Sequence, residues 1–129
     1  MRLLLDTHAL LWWFAGDERL PPPIRDAIFD EGNTIFVSAA SAWEIATKHR
    51  IGKLPDAAYI VADPRGVIAS QGFKELPVTV AHGRTAGMLP GSHRDPFDRM
   101  LIAQAMIEDM VLVSNEYLFD GYGVQRLWQ

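Results

Sequence analysis

Short apolar runs alternate along this chain with longer segments in which apolar positions recur every three or four residues. Arg2 to Leu5 is the first run, and Asp6-Thr7 ends it. The block from Ala9 to Ala15 is too long for a strand and predicts a helix, apolar on nearly every side through Leu10, Leu11, Trp12, Trp13 and Phe14 and closed by Gly16. Such a helix is either fully buried or partly covered by a partner. Pro21-Pro22-Pro23 opens a second, amphipathic helix carrying Ile24, Ala27 and Ile28. After a Gly32-Asn33 turn, the β-branched and aromatic run Thr34 to Val37 predicts a strand. Ser38 to Ile51 predicts a helix with Ser41, Glu44 and Lys48 along one stripe, stopped by Gly52. Asp56 to Gln71 reads as one or two short helices broken at Pro64 and closed by Gly72. Lys74 to Val78 is a third strand, which Pro77 confines to an edge or a strand end.

Thr79 caps a helix to about Met88, and Pro90-Gly91-Ser92 is a loop. The next helix opens at Asp95-Pro96, with Phe97, Leu101, Ile102 and Ala105 on its apolar stripe. Met110 to Val113 predicts a buried strand ending at Ser114-Asn115-Glu116. Tyr117 to Asp120 gives a short turn of helix, broken by Gly121 and Gly123, and Val124 to Leu127 a last strand. Alternating strands and helices with short connections predict an α/β domain, residues 1–129, whose mostly parallel sheet is covered by helices on both faces. Right-handed crossovers place the carboxyl ends of parallel strands along one rim, where ligands of such sheets bind. Asp6, Glu44, Asp95, Asp98 and Glu116 all lie beyond predicted strand ends.

Each acid has an ordinary explanation taken singly. Asp95 caps a helix and Asp98 favours its positive end, while Glu44 has capping-box spacing from Ser41 and pairs with Lys48 at i,i+4. Five separate explanations for five acids on one rim are less economical than one shared site. Carboxylates held together repel unless a cation neutralises them, and the hard ions magnesium and manganese suit oxygen ligands and phosphate chemistry. That chemistry points to phosphodiester hydrolysis.

Composition narrows the choice. With 49% hydrophobic residues in 129, the chain can bury a core unaided, and with no cysteine it has no disulfide or thiolate metal site and suits a reducing cytoplasm. Asp6 and His8 interrupt the first apolar run, so no secretory leader is expected, and no run approaches the roughly 20 residues that span a bilayer. A formal charge of −4 argues against a general nucleic-acid-coating protein, so a polyanionic substrate needs local cations. Lys48, Arg94 and Arg99 are the candidates, with His49, Arg50 and Lys53 nearby in sequence. The four histidines, His8, His49, His82 and His93, show no ligand spacing. Phosphate-binding loops, dinucleotide fingerprints and a nucleophile elbow are absent, and the acceptor aspartate after a central strand and lysine after a late one that a phosphoacceptor domain needs are not clearly offered. A catalytically silent binding or regulatory module on the same scaffold is the rival class.

Several segments carry a family resemblance: Leu4-Leu5-Asp6-Thr7-His8-Ala9-Leu10-Leu11-Trp12, Val37-Ser38-Ala39-Ala40-Ser41-Ala42-Trp43-Glu44-Ile45, Gly52-Lys53-Leu54, His93-Arg94-Asp95-Pro96-Phe97-Asp98-Arg99 and Tyr122-Gly123-Val124. In these the chain resembles the PIN-domain ribonucleases, in particular the VapC toxins of bacterial toxin and antitoxin pairs. The resemblance implies a three-layer α/β/α fold, a Mg2+- or Mn2+-dependent endoribonuclease acting on RNA, a homodimer, and neutralisation by a cognate VapB-type antitoxin. It also implies that Asp6, Glu44 and Asp98 hold the metal with Asp95 beside them. Where those relatives usually carry aspartate after the penultimate strand, this chain has Ser114-Asn115-Glu116, making Glu116 a longer stand-in, with Asn115 the alternative to share its role. Trp12 and Trp13 are then expected on a face that takes the antitoxin or a second subunit.

Overall fold

Leu3, Leu4 and Leu5 have no solvent exposure, because the strand they form lies at the middle of a sheet covered on both faces. In the computed structural model, which describes every residue except Ser92 and Arg94, the strands are β1 (Arg2–Leu5), β2 (Thr34–Ser38), β3 (Lys74–Leu76), β4 (Val111–Val113) and β5 (Arg126–Leu127). They form one sheet in the order β3-β2-β1-β4-β5, and every adjacent pair is parallel. The register sets Leu4 between Phe36 and Leu112, and Leu5 between Val37 and Val113.

The helices are α1 (Thr7–Ala15), α2 (Pro22–Phe29), α3 (Ala39–Arg50), α4 (Ala58–Ala62), α5 (Pro64–Ser70), α6 (Val80–Met88) and α7 (Pro96–Glu108), with 3-10 turns at Pro55–Ala57 and Tyr117–Tyr122. Strand alternation divides the core. Leu3, Leu5, Ile35, Val37 and Val113 pack with Leu10, Ile24, Ile28, Ile45, Ile60 and Ile68 on one face. Leu4 and Leu112 pack with Leu76, Leu101, Ile102, Ala105 and Phe119 on the other. The result is the expected three-layer α/β/α arrangement.

Local chemistry moves some boundaries. Asp6 accepts from Ala9 N–H at 2.8 Å and so starts α1 at Thr7, two residues before the apolar block. Ser38 caps α3 through Ala40 N–H, which puts Ser41 inside the helix, and the expected Ser41–Glu44 capping box does not form. β3 ends at Leu76, before Pro77, and the last strand shortens to Arg126–Leu127. Gly16, at φ 62°, closes α1 in the left-handed conformation, with Asp17 N–H returning to Trp12 O at 3.0 Å.

From β1 the chain steps to β2 and β3 on one side, then crosses back to β4 and β5 on the other. Strand order therefore reverses between β1 and β4, and the crevice beyond their carboxyl ends is where such sheets bind ligands. A buried polar bridge ties β2 to α6 and α7. Ser38 Oγ donates to Gln104 Oε1 at 2.6 Å, and Gln104 Nε2 reaches Pro77 O at 3.3 Å and His82 Nδ1 at 3.4 Å. Gln104 is fully buried. Gln104→Leu keeps the volume but strands these partners, so it is expected to cost about 1–3 kcal/mol. Urea unfolding should show a lower midpoint with unchanged slope; an unchanged midpoint would show the bridge to be energetically idle.

Candidate active site

β1 ends in Asp6, whose backbone N–H donates to Val113 O at 3.0 Å and so locks the ends of β1 and β4 together. Its side chain is 5% exposed, beneath a pocket of about 300 Å3. Thr7, Glu44, Lys48, Asp95, Asp98, Asn115 and Glu116 line the same pocket, with His8 and Trp12 at its side. Four separate segments thus deliver all five expected acids to one crevice.

Each acid is held by a nameable contact. Glu44, 3% exposed, accepts the Thr7 hydroxyl at 2.7 Å on Oε1, and its Oε2 takes the Lys48 ammonium one helical turn on. Asp95 caps α7, accepting from Phe97 N–H at 2.9 Å and Asp98 N–H at 3.3 Å. Asp98 Oδ2 lies 3.0 Å from His93 Nε2. Glu116 caps the following 3-10 turn through Leu118 N–H at 3.1 Å, so its ordinary helix-start role and its place in the pocket coexist. The loop carrying it is pinned by Ser114 Oγ, which accepts Glu116 N–H at 3.0 Å, and by Arg126, which donates to Ser114 O at 3.0 Å while paired with Asp120.

The electrostatics follow from crowding. Burial raises the Asp6 pKa, opposed by hydrogen bonds from Ser114 and Ala9 and aided by the charge of Glu44. Asp98 is pushed up to about 6, first by burial and then by the charge of Asp95, with His93 pulling the other way. For Lys48, burial works against the charge, but the Glu44 hydrogen bond and the charges of Glu44, Asp95 and Asp98 override it and raise its pKa. The donors are hard oxygen groups, the chemistry that suits Mg2+ or Mn2+. Among the described residues, however, no group of three or more His, Cys, Asp or Glu side chains is set to hold a metal ion, and Lys48 is the cation beside Glu44.

Of the expected substrate-contacting cations, Lys48 lines the pocket and Arg94 lies outside the described residues. Arg99 does not turn toward the acids. Its guanidinium donates to the carbonyls of Ala86 (3.0 Å), His93 (3.1 Å) and Leu89, because the last turn of α6 and the loop before α7 leave those oxygens without helical partners. Arg99 therefore holds the loop that carries His93. Sequence reasoning passed over Thr7 and gave His93 no role; the adjacency of Thr7 to Asp6, and of His93 to the Asp95-Pro96 cap, was the available signal. Trp12 and Trp13 are half-buried against the core, consistent with neither full burial nor a free apolar face.

The PIN domain family model matches residues 3–124. The chain is 41% identical over 66 residues to Ribonuclease VapC16 of Mycobacterium tuberculosis, a match that takes in 48% of this chain and only 43% of that protein. The fold is similar to the structure of VapBC2 from Rickettsia felis bound to a DNA fragment from their promoter, with a TM-score of 0.74, 14% identity and all of both chains covered. It is also similar to DNA-bound VapBC from Salmonella typhimurium, with a TM-score of 0.70, 18% identity, and 98% of this chain and 97% of that chain covered.

The raised pKa of Asp98 carries a stability consequence. The folded chain keeps this proton up to about pH 6, whereas an unfolded aspartate releases it near 3.8, so the folded state binds more protons in that window. The ionised group is thus a burden above pH 6 that fades as pH falls toward 4. In the absence of divalent metal, Asp98→Asn should stabilise the protein at pH 8 by about 1–2 kcal/mol, after allowing for water at the pocket mouth. The gain should shrink by pH 5. Urea titrations in chelator at both pH values check this, and a variant less stable than the parent at pH 8 would contradict it.

Proposed function

Because the chain belongs to the PIN domain family, we propose that it is a divalent-metal-dependent endoribonuclease and the toxin of a toxin and antitoxin pair. The observation that carries this reading is the pocket at the sheet's reversal point, where Asp6, Glu44, Asp95, Asp98 and Glu116 meet and burial and crowding raise Asp6 and Asp98. Asp6, Glu44 and Asp98 would hold Mg2+ or Mn2+, with Asp95 beside them. The ion when bound supplies the positive charge and Lewis acidity that phosphodiester hydrolysis needs.

The chain's own residues supply the rest. Lys48, shared between Glu44 and the pocket, offers its ammonium to a phosphate once Glu44 is engaged elsewhere. Thr7 fixes the other oxygen of Glu44, and His93 orients Asp98. Glu116, on the β4 loop that lines the pocket, is the candidate to orient a water and take its proton as the water oxygen attacks phosphorus, while the P–O bond to the leaving ribose oxygen breaks and that oxygen takes up a proton from solvent. The substrate is RNA presented as a single strand or loop, whose backbone can enter the crevice.

The name of the curated relative and the VapBC neighbours support a ribonuclease paired with a VapB-type antitoxin. Such a partner would cover the apolar side of α1 at Trp12 and Trp13, and a homodimer completes the assembly. No helix among the described residues is long and apolar enough to cross a membrane, and a toxin that cleaves cellular RNA would act in the cytoplasm, where its substrate is. The Lys48–Glu44 pair and the lack of a ready three-ligand group are the observations that favour the second reading, a catalytically silent binding module.

Single-turnover cleavage of RNA oligomers should require Mg2+ or Mn2+ and cease in excess chelator, and Asp6→Asn should lower the rate by about 100-fold or more. Undiminished cleavage in chelator would refute the metal mechanism, and no cleavage under any metal would favour the silent module. Glu116→Gln should slow turnover while leaving metal affinity nearly unchanged, and Glu116→Asp should retain activity. A loss of metal binding in Glu116→Gln as severe as in Asp6→Asn would make Glu116 a ligand instead.

A further inference from the structure

Beside the acidic pocket runs a groove of about 640 Å3, and the two share His8 and Trp12 on their walls. His8 is exposed and occupies the second position of α1, two residues from Asp6. Its ring lies over that of Trp12, one turn further on, with centroids 5.6 Å apart and planes inclined by 26°. Trp12 is itself restrained, by the Arg19 guanidinium at 5.0 Å from its ring centroid and by Trp128 at 6.0 Å. Arg19 is fixed in turn by its paired hydrogen bonds to Asp17, at 3.1 and 2.7 Å. A side chain that would otherwise rotate in water is thereby presented as an oriented flat ring between the acids and the groove.

We propose that the His8 ring is the platform on which the nucleobase adjoining the cleaved phosphodiester stacks. This rests on the ribonuclease reading, and it assigns the groove mouth to a single-stranded nucleic acid. Aromatic and imidazole rings recognise splayed bases through their faces, and such contacts tolerate any base. At the shared mouth the exposed imidazole suits a base, while Leu11, Phe14, Leu54, Tyr59 and Ile60 make the rest of the groove largely apolar. Lys48, paired with Glu44, lines the pocket, and Lys53 and Arg19 line the groove together with Asp17 and Asp56, so both cavities that share the ring offer a cation to a backbone phosphate. Backbone contacts would set register while His8 holds the base that brings the bond over the acids.

A charge role is the alternative for the same residue, since the nearby His8 charge lowers the Asp6 pKa. Ring and charge separate cleanly. His8→Ala should raise KM for single-stranded RNA by about 5- to 100-fold, the span expected for losing one stacked base, with a smaller effect on kcat. His8→Phe, which keeps a ring without a charge, should restore KM to within about threefold, and His8→Lys, which keeps a charge without a ring, should not. The second readout needs no cleavage. A set of RNA heptamers carrying 2-aminopurine at each position in turn, bound with Ca2+, should show one position quenched by the parent and by His8→Phe but not by His8→Ala.

Rescue by lysine and not by phenylalanine would overturn the platform in favour of charge. Unchanged KM and quenching in His8→Ala would also overturn it, as would a variant whose only defect is weaker antitoxin binding. Failure of the parent to cleave any RNA would sink the ribonuclease reading alone, with the quenching pattern still judging the stack. Thermal melting of each variant separates misfolding from lost binding, and His8→Phe carries the test if His8→Ala melts early.

Discussion

Like charges crowded at the end of a parallel sheet are the constraint around which this molecule is arranged. Asp6, Glu44, Asp95 and Asp98 share one crevice, and Asp6 and Asp98 are held above the ordinary carboxylate range by burial first and then by the charges of Glu44 and Asp95. A fold tolerates such a cluster only if each carboxylate is individually satisfied. Here Asp6 and Asp95 cap helices, Glu44 takes a hydroxyl and an ammonium, and Asp98 takes an imidazole. The contacts that look merely structural are therefore what keeps the repulsive arrangement standing.

The same constraint explains why rigid elements surround the pocket. Asp6 stands directly on the buried central strand, tied to Val113, and Glu44 is the buried side chain of a long helix. Asp98 and His93 depend on a loop whose carbonyls Arg99 gathers, and Glu116 on one that Arg126 and Ser114 pin. Two arginines thus act at a distance, by placing loops rather than by facing a phosphate. Lys48 has the opposite character: it faces the acids directly, as the counter-ion of Glu44.

Much of this was legible in the chain because its signals are local. The Asp6-Thr7 boundary, the Asp95-Pro96 helix start and the run of strands and helices depend on residues close in sequence, and they fixed both the α/β class and the rim on which the acids lie. Strand order was not legible, since periodicity carries no information about which crossover passes to which side. Arg99 was misread for a related reason: a cation near an acidic motif suggests phosphate, but unpaired carbonyls at the end of α6 and in the loop after it took its donors. The Ser41–Glu44 spacing misled because Ser38, three residues earlier, had already capped the helix. The His93 contact with Asp98 depends on loop conformation, which spacing alone does not specify.

The claim that the cluster exists to hold a divalent cation is tested most directly by calorimetric titration with Mn2+ at pH 6 and pH 8 in buffers of different ionisation enthalpy. One saturable site is expected, abolished or weakened at least about tenfold by Asp6→Asn, with protons released at pH 6 and almost none at pH 8, since Asp98 titrates near 6 and must be ionised to bind. No saturable binding at either pH, or binding indifferent to Asp6→Asn with no proton release at pH 6, would contradict the account.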